Sequence, residues 1–223
     1  MMTDRYVDLT HTFSHDMVSW NGSCGFSHDI KADYETVGFR IQQLKMHAGI
    51  GTHIDAPAHC VPQGKTIEVL STKDLIVPCV VLDISEKASA FYSLTVQDVE
   101  LWESRYGVLQ ERVFCMVYTG WDRFWKNPEQ YRNNYQFPSV SKEAVQFLLA
   151  RNIVGLGIDT LSPDRPSDGF AVHHAMLGAG KYLIENLKNL SLLPAIGGLM
   201  MAFPLKGYGL TEAPARVIVS IPP

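Results

Sequence analysis

Three histidines and an aspartate crowd the stretch Met46-His47-Ala48-Gly49-Ile50-Gly51-Thr52-His53-Ile54-Asp55-Ala56-Pro57-Ala58-His59. Alternate residues of a β-strand share a face, so His53 and Asp55 point the same way, and His47 joins them if the strand runs straight through. Pro57 cannot continue a central strand, and a turn there swings His59 back toward the same pocket. Imidazole nitrogen with carboxylate oxygen is a donor set for zinc, manganese or iron. Gly49 and Gly51 have no Cβ and let backbone or ligand approach closely. A solvated turn would account for Asp55-Ala56-Pro57 alone. Three histidines with an aspartate in an otherwise apolar stretch are costly to bury without a metal or a proton-transfer role.

A second group is His173-His174 followed by Glu185. In one continuous helix His173 and Glu185 would stand ~18 Å apart and ~120° around the axis, too far to share an ion. Gly178-Ala179-Gly180 lies between them, and glycine is a natural helix stop. A short helix, a break and a strand over 181–184 would fold Glu185 back beside His173. His11, His15 and His28 read as surface histidines.

No Gly-x-Ser-x-Gly elbow points to a serine nucleophile. Cys60 reads as a small buried residue turned away from its neighbour His59. Trp20, in the loop Val18-Ser19-Trp20-Asn21-Gly22, is the candidate aromatic wall for a substrate. Trp121 fits a pocket or the core equally well.

The elements that must position these groups are strands interleaved with helices. Runs at 7–9, 37–47, 75–84, 113–119, 153–158 and 216–221 read as strands, and the nearly all-apolar 75–84 suits one buried on both faces. Segments 95–105 and 141–152 read as helices. Thr95 with Asp98 makes a capping-box-like start, and Ser141 is an N-cap with Glu143 in the first turn. The expected fold is α/β, a single domain over 1–223 with a mixed β-sheet and flanking helices, and the site is expected at strand ends near the middle of that sheet.

The 223 residues are 46% hydrophobic and 19% charged, with a net charge of −4. That composition is globular and offers no basic surplus for nucleic acid or anionic membranes. No apolar run approaches the ~20 residues of a membrane span, and the first five residues lack a signal peptide's apolar stretch. Cys24, Cys60, Cys79 and Cys115 are widely spaced, which argues against a disulfide framework and a zinc-finger pattern. The expectation is a cytoplasmic protein that acts on a small molecule.

The motif Gly51-Thr52-His53-Ile54-Asp55-Ala56-Pro57-Ala58-His59 resembles the signature of the cyclase family of metal-dependent hydrolases, which includes bacterial kynurenine formamidase and isatin hydrolase. Asp8-Leu9-Thr10-His11, Thr119-Gly120-Trp121, Gly157-Ile158-Asp159, His173, Glu185-Asn186-Leu187 and Pro214-Ala215-Arg216 extend the likeness over nearly the whole chain. The resemblance implies a kynurenine formamidase-like fold and a homodimer or homotetramer. It implies a divalent metal, zinc or manganese, on His53, Asp55, His173 and Glu185, with Asp55 as a bridge. His59 is the implied acid/base, or else a ligand.

The match departs at position 49, where the family has a histidine and this chain has Gly49. His47 is the remaining candidate ligand, but two strand residues displace it by ~6.6 Å, long against a ~2.1 Å metal–nitrogen bond. One tightly held metal on Asp55, His173 and Glu185 with His53 nearby is therefore expected, and a second position that is weak or empty.

Such an ion generates hydroxide from water at neutral pH and polarises a carbonyl. The implied reaction is hydrolysis of an amide or formamide C–N bond, N-formylkynurenine being the best-known family substrate. The alternatives are a non-catalytic metal- or ligand-binding relative and a lyase or cyclase acting on another carbonyl compound.

Overall fold

Segments of alternating or wholly apolar residues form the strands of the computed structural model, which describes residues 5–22 and 25–222. In chain order the elements are β1 (Arg5–Asp8), β2 (Ser27–Ala32), α1 (Tyr34–Val37), β3 (Ile41–Lys45), β4 (His53–Asp55), α2 (Thr72–Leu75), β5 (Ile76–Asp83), β6 (Ser93–Leu94) and α3 (Val96–Tyr106). They continue with β7 (Phe114–Tyr118), α4 (Pro128–Arg132), β8 (Ser139–Val140), α5 (Lys142–Ala150), β9 (Gly155–Ile158), α6 (Ala171–Gly178), β10 (Tyr182–Glu185), β11 (Gly198–Pro204) and β12 (Glu212–Ile221).

The main sheet is mixed. Strands β5, β7, β9 and β10 run parallel, and α3, α5 and α6 make the crossovers between them. The antiparallel pairs β10–β4, β4–β12, β12–β11 and β11–β5 then bring the sheet back on itself, so it closes like a barrel. Strand β1 pairs with β12 beyond β4. Closure was not read from the sequence, because it depends on β12 reaching β4, two segments more than 150 residues apart in the chain.

Strict alternation separates two apolar layers. Val77, Cys79 and Val81 of β5 face the barrel interior with Ile54, Phe114 and Met116. Val80 and Leu82 face outward against Val99 of α3 and Val145 and Leu148 of α5. In β9 the interior positions are Gly155 and Gly157. A Cβ at Gly155 would lie 2.7 Å from the Phe114 ring, and one at Gly157 would lie 2.7 Å from Leu187. These glycines make room for the ring of Phe114 on the neighbouring strand β7.

The helix caps form as the sequence indicates. Asp98 N–H donates to Thr95 Oγ1 and Thr95 N–H donates back to Asp98 Oδ2, while Ser141 Oγ accepts from Ala144 N–H. The strand expected over 37–47 is shorter. Asp33 caps a helical turn at Tyr34–Val37, Gly38 ends that turn at φ 79°, and the strand occupies only Ile41–Lys45. Strands β2 and β11 and the two-residue β6 and β8 have no counterpart among the strands expected from the sequence. Among the described residues no helix is long and apolar enough to cross a membrane. Cys60, Cys79 and Cys115 are free thiols, and Cys24 lies outside the described residues.

Candidate metal centre

Strand β4 is three residues long, and its centre, Ile54, points into the barrel core. His53 and Asp55 therefore point outward. Residues directly opposite in an antiparallel pair share a face. The register sets Glu185 of β10 opposite His53 and Glu212 of β12 opposite Asp55, so all four side chains share the outer face.

Helix α6 covers that face. It stops at Gly178, Gly180 turns the chain at φ +72°, and β10 begins at Tyr182. This is the helix–break–strand expected from Gly178-Ala179-Gly180, and it returns Glu185 to His173.

His53 Nε2 lies 3.4 Å from Asp55 Oδ1 and 3.4 Å from Glu185 Oε2. His173 Nε2 lies 3.6 Å from Asp55 Oδ2 and 3.3 Å from Glu185 Oε1. These spacings are too long for good hydrogen bonds. Each ring meets a different oxygen of each carboxylate, at spacings near the ~3.4 Å between two donors on one cation with ~2.1 Å bonds. His53, Asp55 and Glu185 each offer an atom within 4.8 Å of the others, and His173 flanks that set across the same two carboxylates.

Both rings are held from behind. Nδ1 of His53 donates to Gly51 O at 2.8 Å, and Nδ1 of His173 donates to Asp164 Oδ2 at 2.8 Å. Each Nε2 is thereby aimed at the carboxylates. Such outer partners commonly fix the tautomer of a ligating histidine.

All four side chains are buried, yet both oxygens of Asp55 and Oε1 of Glu185 have no hydrogen-bond partner. Leaving buried carboxylate oxygens unpaired is expensive. Two neutral imidazoles and two carboxylates would balance one divalent cation with no net charge, so the donor set fits such an ion. Without a cation the rings take up the positive charge. Burial opposes protonation of His53, but the adjoining Asp55 and Glu185 hold its pKa up at about 10. His173 is also raised, burial being outweighed by Asp164, Asp55 and Glu185. Burial and the neighbouring Asp55 charge push Glu185 up, whereas the two imidazoles draw Asp55 down against its burial.

A cavity of about 550 Å³ opens over the cluster. His59 sits on its wall in a turn begun by Pro57, as the sequence suggested, with its side chain one-third exposed. Its Nδ1 lies 3.4 Å from Glu212 Oε2, and that carboxylate raises its pKa. Trp20 and Phe170 line the cavity, their ring centroids 6.0 Å apart, and Tyr135 braces Trp20 through a hydrogen bond to its carbonyl. His174 is exposed at the rim. Cys60 is half-buried beside His59, and burial pushes its thiol pKa up.

Other expectations need correction. His47 is not on a strand running into His53, because β3 ends at Lys45 and the chain bends through 48–52. It lines the cavity, but it belongs to neither cluster of potential ligands among the described residues. The site does not occupy the sheet middle. It lies on the outer face where β10, β4 and β12 close the barrel.

His11 is buried rather than on the surface, stacked on Trp125 at 3.8 Å, and burial lowers its pKa to about 3. Trp121 is core, its Nε1 donating to Tyr131 O.

Sequence reasoning missed Asp164 and Glu212, and it marked Asn186 only as part of the Glu185-Asn186-Leu187 likeness, with no role. Asn186, at φ 56°, donates to Gly51 O and so braces the carbonyl that holds His53. The polar run Asp159-Thr160-Leu161-Ser162-Pro163-Asp164 after an apolar strand is a signal that could have drawn attention to Asp164. Nothing local marks Glu212, since only the β12–β4 register brings it here.

The family model Cyclase, described as "Putative cyclase", matches residues 7–165. Isatin hydrolase of Roseibium aggregatum is 28% identical over 188 residues, covering 77% of this chain and 71% of that protein. Kynurenine formamidase of Bacillus cytotoxicus is 25% identical over 228 residues, covering 98% of this chain and 99% of that one. Isatin hydrolase A from Labrenzia aggregata, solved with benzyl benzoate, superposes with a TM-score of 0.89 at 30% identity, covering 99% of this chain and 94% of the other. A solved structure described as a potential metal-dependent hydrolase with cyclase activity gives a TM-score of 0.79 at 27% identity, each chain being 98% covered. By its sequence, its closed mixed sheet and its buried His/Asp/Glu cluster, this chain belongs to the cyclase family of metal-dependent hydrolases.

Proposed function

We propose that this protein hydrolyses the C–N bond of an aryl amide or formamide, with N-formylkynurenine-like aryl formamides as the first substrate class. The observation that carries the reading is the set of buried carboxylate oxygens left without partners between two imidazole nitrogens at the floor of the cavity. His53, Asp55, His173 and Glu185 would hold a divalent cation, zinc or manganese, and mixed imidazole–carboxylate donors suit both. Bound there, the cation supplies a Lewis acid for a carbonyl oxygen and a lowered pKa for water.

The remaining roles fall to the chain's own groups. His59 faces the cavity beside the cluster and is the group we assign to carry a proton from the attacking water to the leaving nitrogen. An arylamine leaves poorly unless that nitrogen is protonated. Trp20 and Phe170 offer flat apolar surface for an aryl ring and exclude water from that side of the cavity. A cyclic amide such as isatin is the second reading. It is supported by the similarity to isatin hydrolase A over nearly the full length of both chains.

Turnover of a panel of aryl formamides, lactams and lactones by zinc- and manganese-loaded protein tests the proposal. Hydrolysis of formamides or lactams is the expected result. Full metal loading without turnover of any panel member would leave a binding protein instead.

We also propose that the protein is a homodimer or homotetramer in a reducing cytoplasm. The β2–β3 ribbon supports assembly: Ile30, Tyr34, Val37, Phe39, Ile41 and Leu44 are exposed along it and its intervening turn, and a lone two-stranded ribbon is marginal in water. Sedimentation at micromolar concentration should show a species larger than a monomer. The free thiols among the described residues, Cys60, Cys79 and Cys115, support the location.

A further inference from the structure

We propose that Glu212 stands in for the side chain absent at position 49 and, with Asp55 and His59, forms a second divalent-cation position next to the first. The inference rests on reading His53, Asp55, His173 and Glu185 as a metal site, and it adds a ligand from a strand distant in sequence. With the second position filled His59 is a ligand, and its proton-carrying role belongs to the protein holding the tight metal alone.

Gly49 is the starting point. A Cβ built on it would lie 2.0 Å from Glu212 Oε1 and 3.4 Å from His53 Nε2. The space that a side chain at position 49 would fill, directed at the metal cluster, is thus filled by the Glu212 carboxylate. The backbone at Gly49 does not adopt the left-handed conformation that demands glycine. What a side chain there would meet first is the carboxylate itself, the mobile end of Glu212.

The groups around that carboxylate make a donor set. Asp55, His59 and Glu212 each present a ligand atom, all within 4.8 Å of one another. The same is true of His53, Asp55 and Glu185, so Asp55 belongs to both groups. Its two oxygens, buried and without hydrogen-bond partners, can serve two cations at once. The His59 Nδ1–Glu212 Oε2 spacing of 3.4 Å repeats the 3.3–3.6 Å spacings of the first cluster. It exceeds the usual length of an N–H···O hydrogen bond.

The placement of Glu212 is built into the fold. Ala56 N–H donates to Thr211 O at 2.9 Å and Ala215 N–H donates to Thr52 O at 3.0 Å, clamping β12 to β4 on either side of it. Charge sets the order of affinities. The first cation meets two carboxylates and is neutralised. The second adds two positive charges against one new carboxylate, and it faces the first cation. It should bind about tenfold or more weakly than the first.

Protein stripped with a chelator and titrated with Mn²⁺ or Zn²⁺, by calorimetry and by elemental analysis after dialysis, tests this. Wild type should show a tight and a weak class of site, one of each per chain. Glu212→Gln should remove the weak class and keep the tight one. Gly49→Ala should do the same without deleting a donor, because its Cβ drives the carboxylate away. Gly49→His combined with Glu212→Gly should restore two classes. Retention of the tight class in each variant reports an intact fold.

A wild type with only the tight class overturns the inference and leaves the first site standing. So does a weak class that survives both Glu212→Gln and Gly49→Ala. Absence of the tight class in wild type defeats the metal-site reading, and this inference with it.

Discussion

Asp55 is the residue on which the cluster turns. One oxygen faces His53 and the other faces His173, and neither is hydrogen-bonded. Asp55→Ala should abolish metal retention and turnover while far-UV circular dichroism stays that of the native protein, since Ile54 and not Asp55 fills the core at this strand. Retained metal with lost activity would move Asp55 from ligand to another role. His59 is one-third exposed and lies outside the innermost four. His59→Ala should lower kcat by about 10²–10⁴-fold, the range for losing a general acid or base, with the tight metal still bound. If elemental analysis shows the tight metal gone, His59 is a ligand of that site.

At the scale of elements, α6 matters through its first turn. Asp164 accepts from the N–H groups of Val172 and His173 and from the His173 ring, so one carboxylate both caps the helix and sets the ring. Asp164→Asn keeps the shape but replaces an acceptor oxygen by an NH₂ donor facing two N–H groups. Metal affinity should fall about 10–100-fold, as for other outer partners of ligating histidines. Stability should fall by about 1–3 kcal/mol for a buried donor left unpaired. Competition with a chromophoric chelator reads the first and urea unfolding of metal-free protein reads the second.

Over the whole molecule, pH reaches stability through buried groups outside the metal cluster as well. Buried against Trp125, His11 has a folded pKa of about 3, below its ordinary 6.5. Between those values the unfolded chain binds a proton that the folded chain refuses. Stability from this group is complete above pH 6.5 and is lost as pH falls, at about 1.4 kcal/mol per unit. Asp159 works in the opposite direction. Burial raises it from 3.8 to about 7, so its contribution is complete below 3.8 and is lost as pH rises through 7. Comparison with a variant isolates one group from the other. His11→Phe keeps a ring against Trp125, and the stability of wild type minus variant, measured in chelator, should climb with that slope from pH 4 to 6. A flat difference would mean that His11 titrates normally in the folded protein.

Much of this protein is local and therefore legible in its residues. Gly178-Ala179-Gly180 breaks a helix, Thr95 and Ser141 start two others, and the apolar runs of β5, β7 and β9 mark buried strands, because each depends on neighbours a few positions away. His53 and Asp55 share a face for the same reason: strand periodicity acts within three residues. The sequence also carried the pairing of His173 with Glu185, since a glycine break makes their return possible. Barrel closure, the helical turn that replaces the start of the expected 37–47 strand, and the burial of His11 were decided by tertiary structure. They follow from which strand lies against which and from how a loop packs on Trp125. Glu212 is the clearest case. Its side chain meets the space left by Gly49 only because β12 pairs with β4 in one register, and a shift of one residue would turn it to the opposite face.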